Sequence, residues 1–114
     1  MPDLLNFKVI KKLKEATIKR GPDFLNSLVD NFLIRSTEII AEITQSFRQN
    51  DFTKMYKHVH QLKGTAASFG AEQLSLLCLE LETADHNKLE ILIEQLTICL
   101  DETKPEIKQA FITN

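Results

Sequence analysis

Phe52, Met55, Val59, Leu62, Ala66 and Phe69 recur at intervals of 3, 4, 3, 4 and 3 residues. That spacing lines one face of an α-helix. It matches no face of a strand, where every second residue would have to be apolar. A helix with so regular a seam must bury it against other helices, so the stripe commits the chain to helix-on-helix packing. The same period recurs along the sequence. Leu25, Leu28, Val29, Phe32, Ser36, Ile39, Ile43 and Phe47 mark a long helix over about 22–49. Leu74, Leu77, Cys78 and Leu81 mark one over 71–83, and Leu89, Leu92, Ile93, Leu96 and Leu100 mark the last. A shorter helix is expected over 4–17, with Leu5, Val9, Leu13 and Ala16 or Thr17 inward. No stretch alternates as a strand would, and there is no internal repeat.

The residues between these stripes are helix starts and stops. Gly21 suits an N-cap, Pro22 a first helical position and Asp23 the positive helix end. "QND" breaks the long helix, and Asp51 caps the next, which runs over 52–69. Gly70 is a turn residue, and "ADHN" is the following turn. Asn87 and Glu90 have the spacing of a capping box. Pro105 is expected to kink or end the last helix, leaving Ile107 and Phe111 either helical against the bundle or frayed. Short connections between long helices make neighbours antiparallel. The expected fold is all-α: an antiparallel up-and-down four-helix bundle with an additional short N-terminal helix lying across it. It forms one domain over 1–114, with its bundle core at about 22–103.

Composition narrows the function. A net charge of −2 gives no basic surplus to favour nucleic acid. No apolar run approaches the ~20 residues that span a bilayer, and the N-terminus has no signal-like apolar core. Cys78 and Cys99 lack metal-type spacing and lie in apolar stripes, so they read as buried reduced thiols in a cytoplasmic protein. Each helix has one apolar stripe for one shared core, which predicts a monomer.

The segment "HVHQLKGTAASFG", residues 58–70, does not reduce to packing. At about 100° per residue, His60 points roughly 130° away from the seam of its helix, toward solvent. Its neighbours one turn away are Tyr56, Lys57, Lys63 and Gly64, with Ala67 two turns on. A neutral imidazole has a free nitrogen lone pair and can bond to an electrophile such as a phosphoryl group. Lys63 can then donate charge-assisted hydrogen bonds to the phosphoryl oxygens. Gly64 costs a helix about 1 kcal/mol relative to Ala, yet with no Cβ it leaves room for another molecule to approach His60. His58 lies ~160° around the helix from His60, so the two cannot hold one metal ion. His86 reads as turn surface and "ELETAD" as a solvated helix end. No Ser-His-Asp, Cys-His, Gly-rich phosphate loop or paired-carboxylate pattern is present.

"HQLKGTAASFG", followed by "AEQLSLLCLELE", resembles the histidine-containing phosphotransfer (HPt) domain family. His60, Leu62, Lys63, Gly64, the small run 65–68 and Gly70 match its motif, and "PDFLNSLVDNFL" and "RQNDFTKMYKHV" match its lead-in. The resemblance implies a four-helix bundle that carries phosphoryl groups in a two-component phosphorelay. His60 would accept one from a receiver-domain aspartate and pass it to another receiver. Lys63 would stabilise the charge, and Gly64 would give the partner clearance. The partners implied are response-regulator receiver domains and hybrid sensor kinases. The chain would have no kinase activity, bind no metal and need no cofactor, with Mg²⁺ on the receiver alone. Whether it stands alone or is a module of a hybrid sensor histidine kinase is left open. The alternative is a non-phosphorylated helical adaptor that binds and inhibits a receiver or sensor kinase.

Overall fold

In the computed structural model, residues 3–112 are described, all but the side chain of Ile112. Five helices follow in order: α1 (Phe7–Thr17), α2 (Pro22–Arg48), α3 (Phe52–Ser68), α4 (Glu72–Thr83) and α5 (Leu89–Ile112). Each of α2 to α5 packs on the next, and α5 closes the ring against α2, giving an antiparallel up-and-down bundle. No strand occurs among the described residues. α1 touches both α2 and α5.

The α3 seam lies at the centre. Met55, Val59, Leu62 and Ala66 are fully buried, as are Leu74, Cys78 and Leu81 of α4. The inward face of α2 is wider than its sequence stripe, because α3, α5 and α1 all pack on it. Leu33 and Ile40 are buried there beside Phe32, Ile39 and Ile43, whereas Leu25, Leu28 and Phe47 are only partly covered.

The ends follow local chemistry. Pro22 starts α2 behind Gly21 at φ 87°. The Asp51 carboxylate accepts from the Lys54 amide at 3.2 Å and caps α3. Gly70, at φ 74°, does two jobs. It adopts a left-handed turn, and it admits the start of α1, since a Cβ there would lie 2.8 Å from both the Asn6 carbonyl oxygen and Ile10 Cγ1.

Some expectations are corrected and two alternatives are decided. α1 begins at Phe7 rather than Leu4, because Asn6 caps it through Oδ1. The segment before it instead docks on the bundle, with the Leu4 carbonyl accepting from Gln73 N at 3.3 Å. Of the residues expected inward, Leu5 and Thr17 are buried and Val9 and Leu13 partly covered, with Thr17 rather than Ala16 closing the stripe; Ile10, outside that stripe, is buried as well. The Asn87–Glu90 capping box does not form: His86–Lys88 make a 3₁₀ turn that runs straight into α5, so Asn87 is no longer at a helix start. Pro105 neither ends α5 nor marks the core boundary. It lies on the exposed face, where its missing N–H needs no buried partner, and the helix continues and buries Ile107 and Phe111, the helical one of the two outcomes expected for this segment. The core therefore extends past residue 103, with Phe69 packed between Phe32 at 4.4 Å and Phe111 at 6.1 Å.

Candidate functional site

His60 projects from the middle of α3 with its side chain 72% exposed. It can face outward because the α3 seam is satisfied by residues on the other side of the helix. Nδ1 lies 3.1 Å from Glu82 Oε2, on α4. An ionised carboxylate only accepts hydrogen bonds, so Nδ1 carries the proton and donates. The lone pair is then on Nε2, at the outer tip of the ring.

Lys63, one turn along α3, donates from Nζ to the other oxygen of the same carboxylate, Oε1. One carboxylate therefore holds both the imidazole and the ammonium. The pair is partly sheltered, with Lys63 28% and Glu82 23% exposed. The Lys63 hydrogen bond holds the Glu82 carboxyl below its usual range. Burial opposes that effect, and the His60 hydrogen bond adds to it. Ser75, also on α4, donates from Oγ to the Lys63 carbonyl at 3.2 Å and ties the two helices beneath the site.

Gly64 borders this cluster on the open side. A Cβ built there meets nothing within 4 Å. Ala67 and Ser68 continue the exposed strip toward Gly70, so no bulky side chain covers the approach along α3.

His58 turns the other way. Its Nε2 lies 3.9 Å from Glu42 on α2, its ring is largely covered, and its Nδ1 is buried without a hydrogen bond. His86 is exposed in its turn, as expected, with its ring tilted by 33° against Phe52 at 4.6 Å. Cys78 and Cys99 are buried free thiols. Burial, with Glu82 and Cys99 nearby, pushes the Cys78 thiol up to about 12. Burial also raises Cys99, against a hydrogen bond from Thr103. Among the described residues, no group of three or more His, Cys, Asp or Glu side chains could hold a metal ion. No described helix is long and apolar enough to cross a membrane.

Glu82 corrects the reading of "ELETAD" as merely solvated. Antiparallel pairing around Gly70 explains why it lands here: His60 lies ten residues before that turn and Glu82 twelve after it. Residues nearly equidistant from a tight turn meet across a helical hairpin. That mirror relation was the available signal.

The fold and site define a class: an antiparallel four-helix bundle displaying one imidazole, with a cation and a carboxylate beside it, from the middle of a helix. The Hpt domain family model matches residues 27–106, and the chain belongs to that family. Histidine-containing phosphotransfer protein 1 of Arabidopsis thaliana is 30% identical over 97 residues, covering 83% of this chain and 61% of that protein. Histidine-containing phosphotransfer protein 1 of Oryza sativa subsp. japonica is 32% identical over 76 residues, covering 65% of this chain and 50% of that protein. The chain thus spans about half to three-fifths of the length of these curated relatives. The crystal structure of histidine-containing phosphotransfer protein B (HptB) from Pseudomonas aeruginosa PAO1 shares the fold, with a TM-score of 0.85 at 23% identity, covering 100% of this chain and 99% of that one.

Proposed function

We propose that this domain is a phosphoryl carrier: His60 takes a phosphoryl group from a receiver-domain aspartate and passes it to another. The observation that carries the reading is the exposed His60 ring, held by Glu82 at Nδ1 with Nε2 open to solvent.

The step balances without a further reactant. The Nε2 lone pair attacks the phosphorus of an aspartyl phosphate. The bond from phosphorus to the aspartyl oxygen breaks, and its electron pair stays on the released carboxylate. The ring keeps its Nδ1 proton and gains positive charge as the N–P bond forms. Glu82 already accepts from Nδ1–H and stabilises that charge, as a carboxylate behind a catalytic imidazole does. Lys63 is within one turn of the ring and can exchange one oxygen of Glu82 for a phosphoryl oxygen, a charge-assisted contact. Transfer of this kind depends on positioning and charge stabilisation, so no kinase chemistry is required of the chain itself. Mg²⁺, where transfer needs it, is supplied by the receiver. The buried reduced thiols support a cytoplasmic setting.

The test is incubation with a panel of receiver domains charged by acetyl phosphate. An acid-labile, alkali-stable label should appear on the wild type, be absent from His60→Gln and persist in His58→Gln. A wild type that binds charged receivers yet never takes up label would refute the carrier reading and leave the inhibitory adaptor.

A further inference from the structure

We infer that helix α1 is an electrostatic guide that orients an acidic protein partner over His60; the inference rests on the carrier reading. Residues 7–20 carry Lys8, Lys11, Lys12, Lys14, Lys19 and Arg20 against the single Glu15. That is a local charge of +5 in a chain of net −2, so the remaining residues carry −7. Lys8, Lys11, Lys12 and Lys19 are exposed, and no ion pair joins them to a carboxylate among the described residues.

The arrangement works against the helix that bears it. Lys8, Lys11 and Lys12 are like-charge neighbours one turn apart, which destabilise a helix. Lys8 also sits in the first turn, where the helix dipole favours an anion and α1 has none. The charge of Lys8, Lys11 and Lys12 is kept where local stability would disfavour it, in an otherwise acidic chain.

Its position suits a partner seated on His60. Asn6 pins the start of α1 to the α3–α4 turn, donating from its backbone N–H to the Gly70 carbonyl at 2.7 Å and from Nδ2 to Glu72 at 2.7 Å. That turn lies ten residues along α3 from His60, about 15 Å at the helical rise. The bare strip of Gly64, Ala67 and Ser68 connects the two, and Phe7 stands 67% exposed at its far end. A standard interface of about 800 Å² per partner is roughly 30 Å across, so one centred on His60 extends to the turn that holds the start of α1, and the α1 lysines beyond it act on the partner through their field. The opposite end of the bundle has no such surplus: exposed Arg48, Lys54 and Lys88 there balance Asp51, Asp85 and Glu90, so the concentrated positive charge is at the α1 end.

The chemistry of the occupant follows. The partner in the carrier reading presents an aspartyl phosphate, so its reacting surface is anionic and complements α1. A membrane surface fits less well. The apolar side of α1, at Ile10, Leu13 and Thr17, is turned to the bundle, and the exposed Phe7 and Ile18 lie at opposite ends of the segment.

The experiment measures second-order transfer rate constants from charged receiver domains at about 20 mM and about 300 mM salt. The proteins are wild type, a triple Lys8→Glu/Lys11→Glu/Lys12→Glu variant and the matching triple Gln variant. At low salt the Glu variant should transfer on the order of tenfold more slowly, with the Gln variant between, and the difference should shrink at high salt. Labelling of His60 by phosphoramidate, which needs no docked protein, should not change. Equal rates and equal salt slopes in all three proteins would overturn the guide. So would Lys-dependent binding to phosphatidylserine vesicles with transfer unaffected, which would reassign α1 to a membrane surface. A wild type that transfers with no receiver in the panel would instead sink the carrier reading, and this inference with it.

Discussion

Gly64→Ala should make the protein more stable and less active, and the structure sets both magnitudes. Gly64 is a helix-interior residue outside the positive-φ region, with open space where its Cβ would be. Alanine therefore fits unstrained and gains about 1 kcal/mol in helix propensity. For a domain of this size that is a rise of about 4 °C in unfolding temperature. The methyl group would project into the approach to His60. Inserting a methyl into a close contact costs roughly 1–3 kcal/mol, equivalent to a roughly 5- to 150-fold fall in the rate of transfer with a receiver. Thermal unfolding by circular dichroism reads the first effect, and label transfer from a charged receiver domain reads the second. Phosphoramidate labelling should stay unchanged, since a small donor needs little clearance. Gly70→Ala is the control of opposite sign: at φ 74° and with Asn6 and Ile10 in the way, it should destabilise. If Gly64→Ala lowers the unfolding temperature, the open-space argument is wrong. If it raises the temperature but transfers at the wild-type rate, Gly64 has no role in partner approach.

Three further outcomes follow. The Glu82 carboxyl is held below its usual value, so its stabilising effect is present above the ordinary carboxylate range and is lost as pH falls through the lowered folded value. Glu82→Gln should accordingly be less stable than wild type at pH 7 and lose that deficit under strongly acidic conditions, as read by urea unfolding at each pH; a deficit independent of pH would contradict this. Pro105→Ala, at an exposed helix-interior site, should raise stability by about 1–3 kcal/mol in the same assay, and a loss would mean that the proline is locally required. Cys78, buried with its thiol raised to about 12, should resist iodoacetamide at pH 8 in the native protein and react after unfolding, as mass spectrometry would show; rapid native labelling would contradict its burial.

What the sequence made legible was periodicity and turn chemistry. The α3 seam, the α4 stripe, the Asp51 cap and the Gly70 turn depend on neighbours within one or two turns, and they appear in the structure at those residues. The outward angle of His60 followed from the same helical arithmetic. What stayed hidden depends on tertiary pairing. Glu82 looks like any surface acid until α3 and α4 fold back on each other around Gly70 and bring it to His60 and Lys63. Leu33 and Ile40 became core because three elements cover α2, which no single stripe encodes. Pro105 lost its usual meaning because its ring faces solvent while Ile107 and Phe111 anchor the turn beyond it. The Asn87–Glu90 spacing was overridden by a 3₁₀ turn that had already begun at His86.

The most direct measurement is the site of the N–P bond, read by ³¹P and ¹H–¹⁵N NMR on the protein after transfer from a charged receiver. Since Nδ1 donates to Glu82, the phosphoryl group should be found on Nε2 of His60 alone. A phosphoryl group on Nδ1, on another histidine, or on no histidine at all would contradict the account.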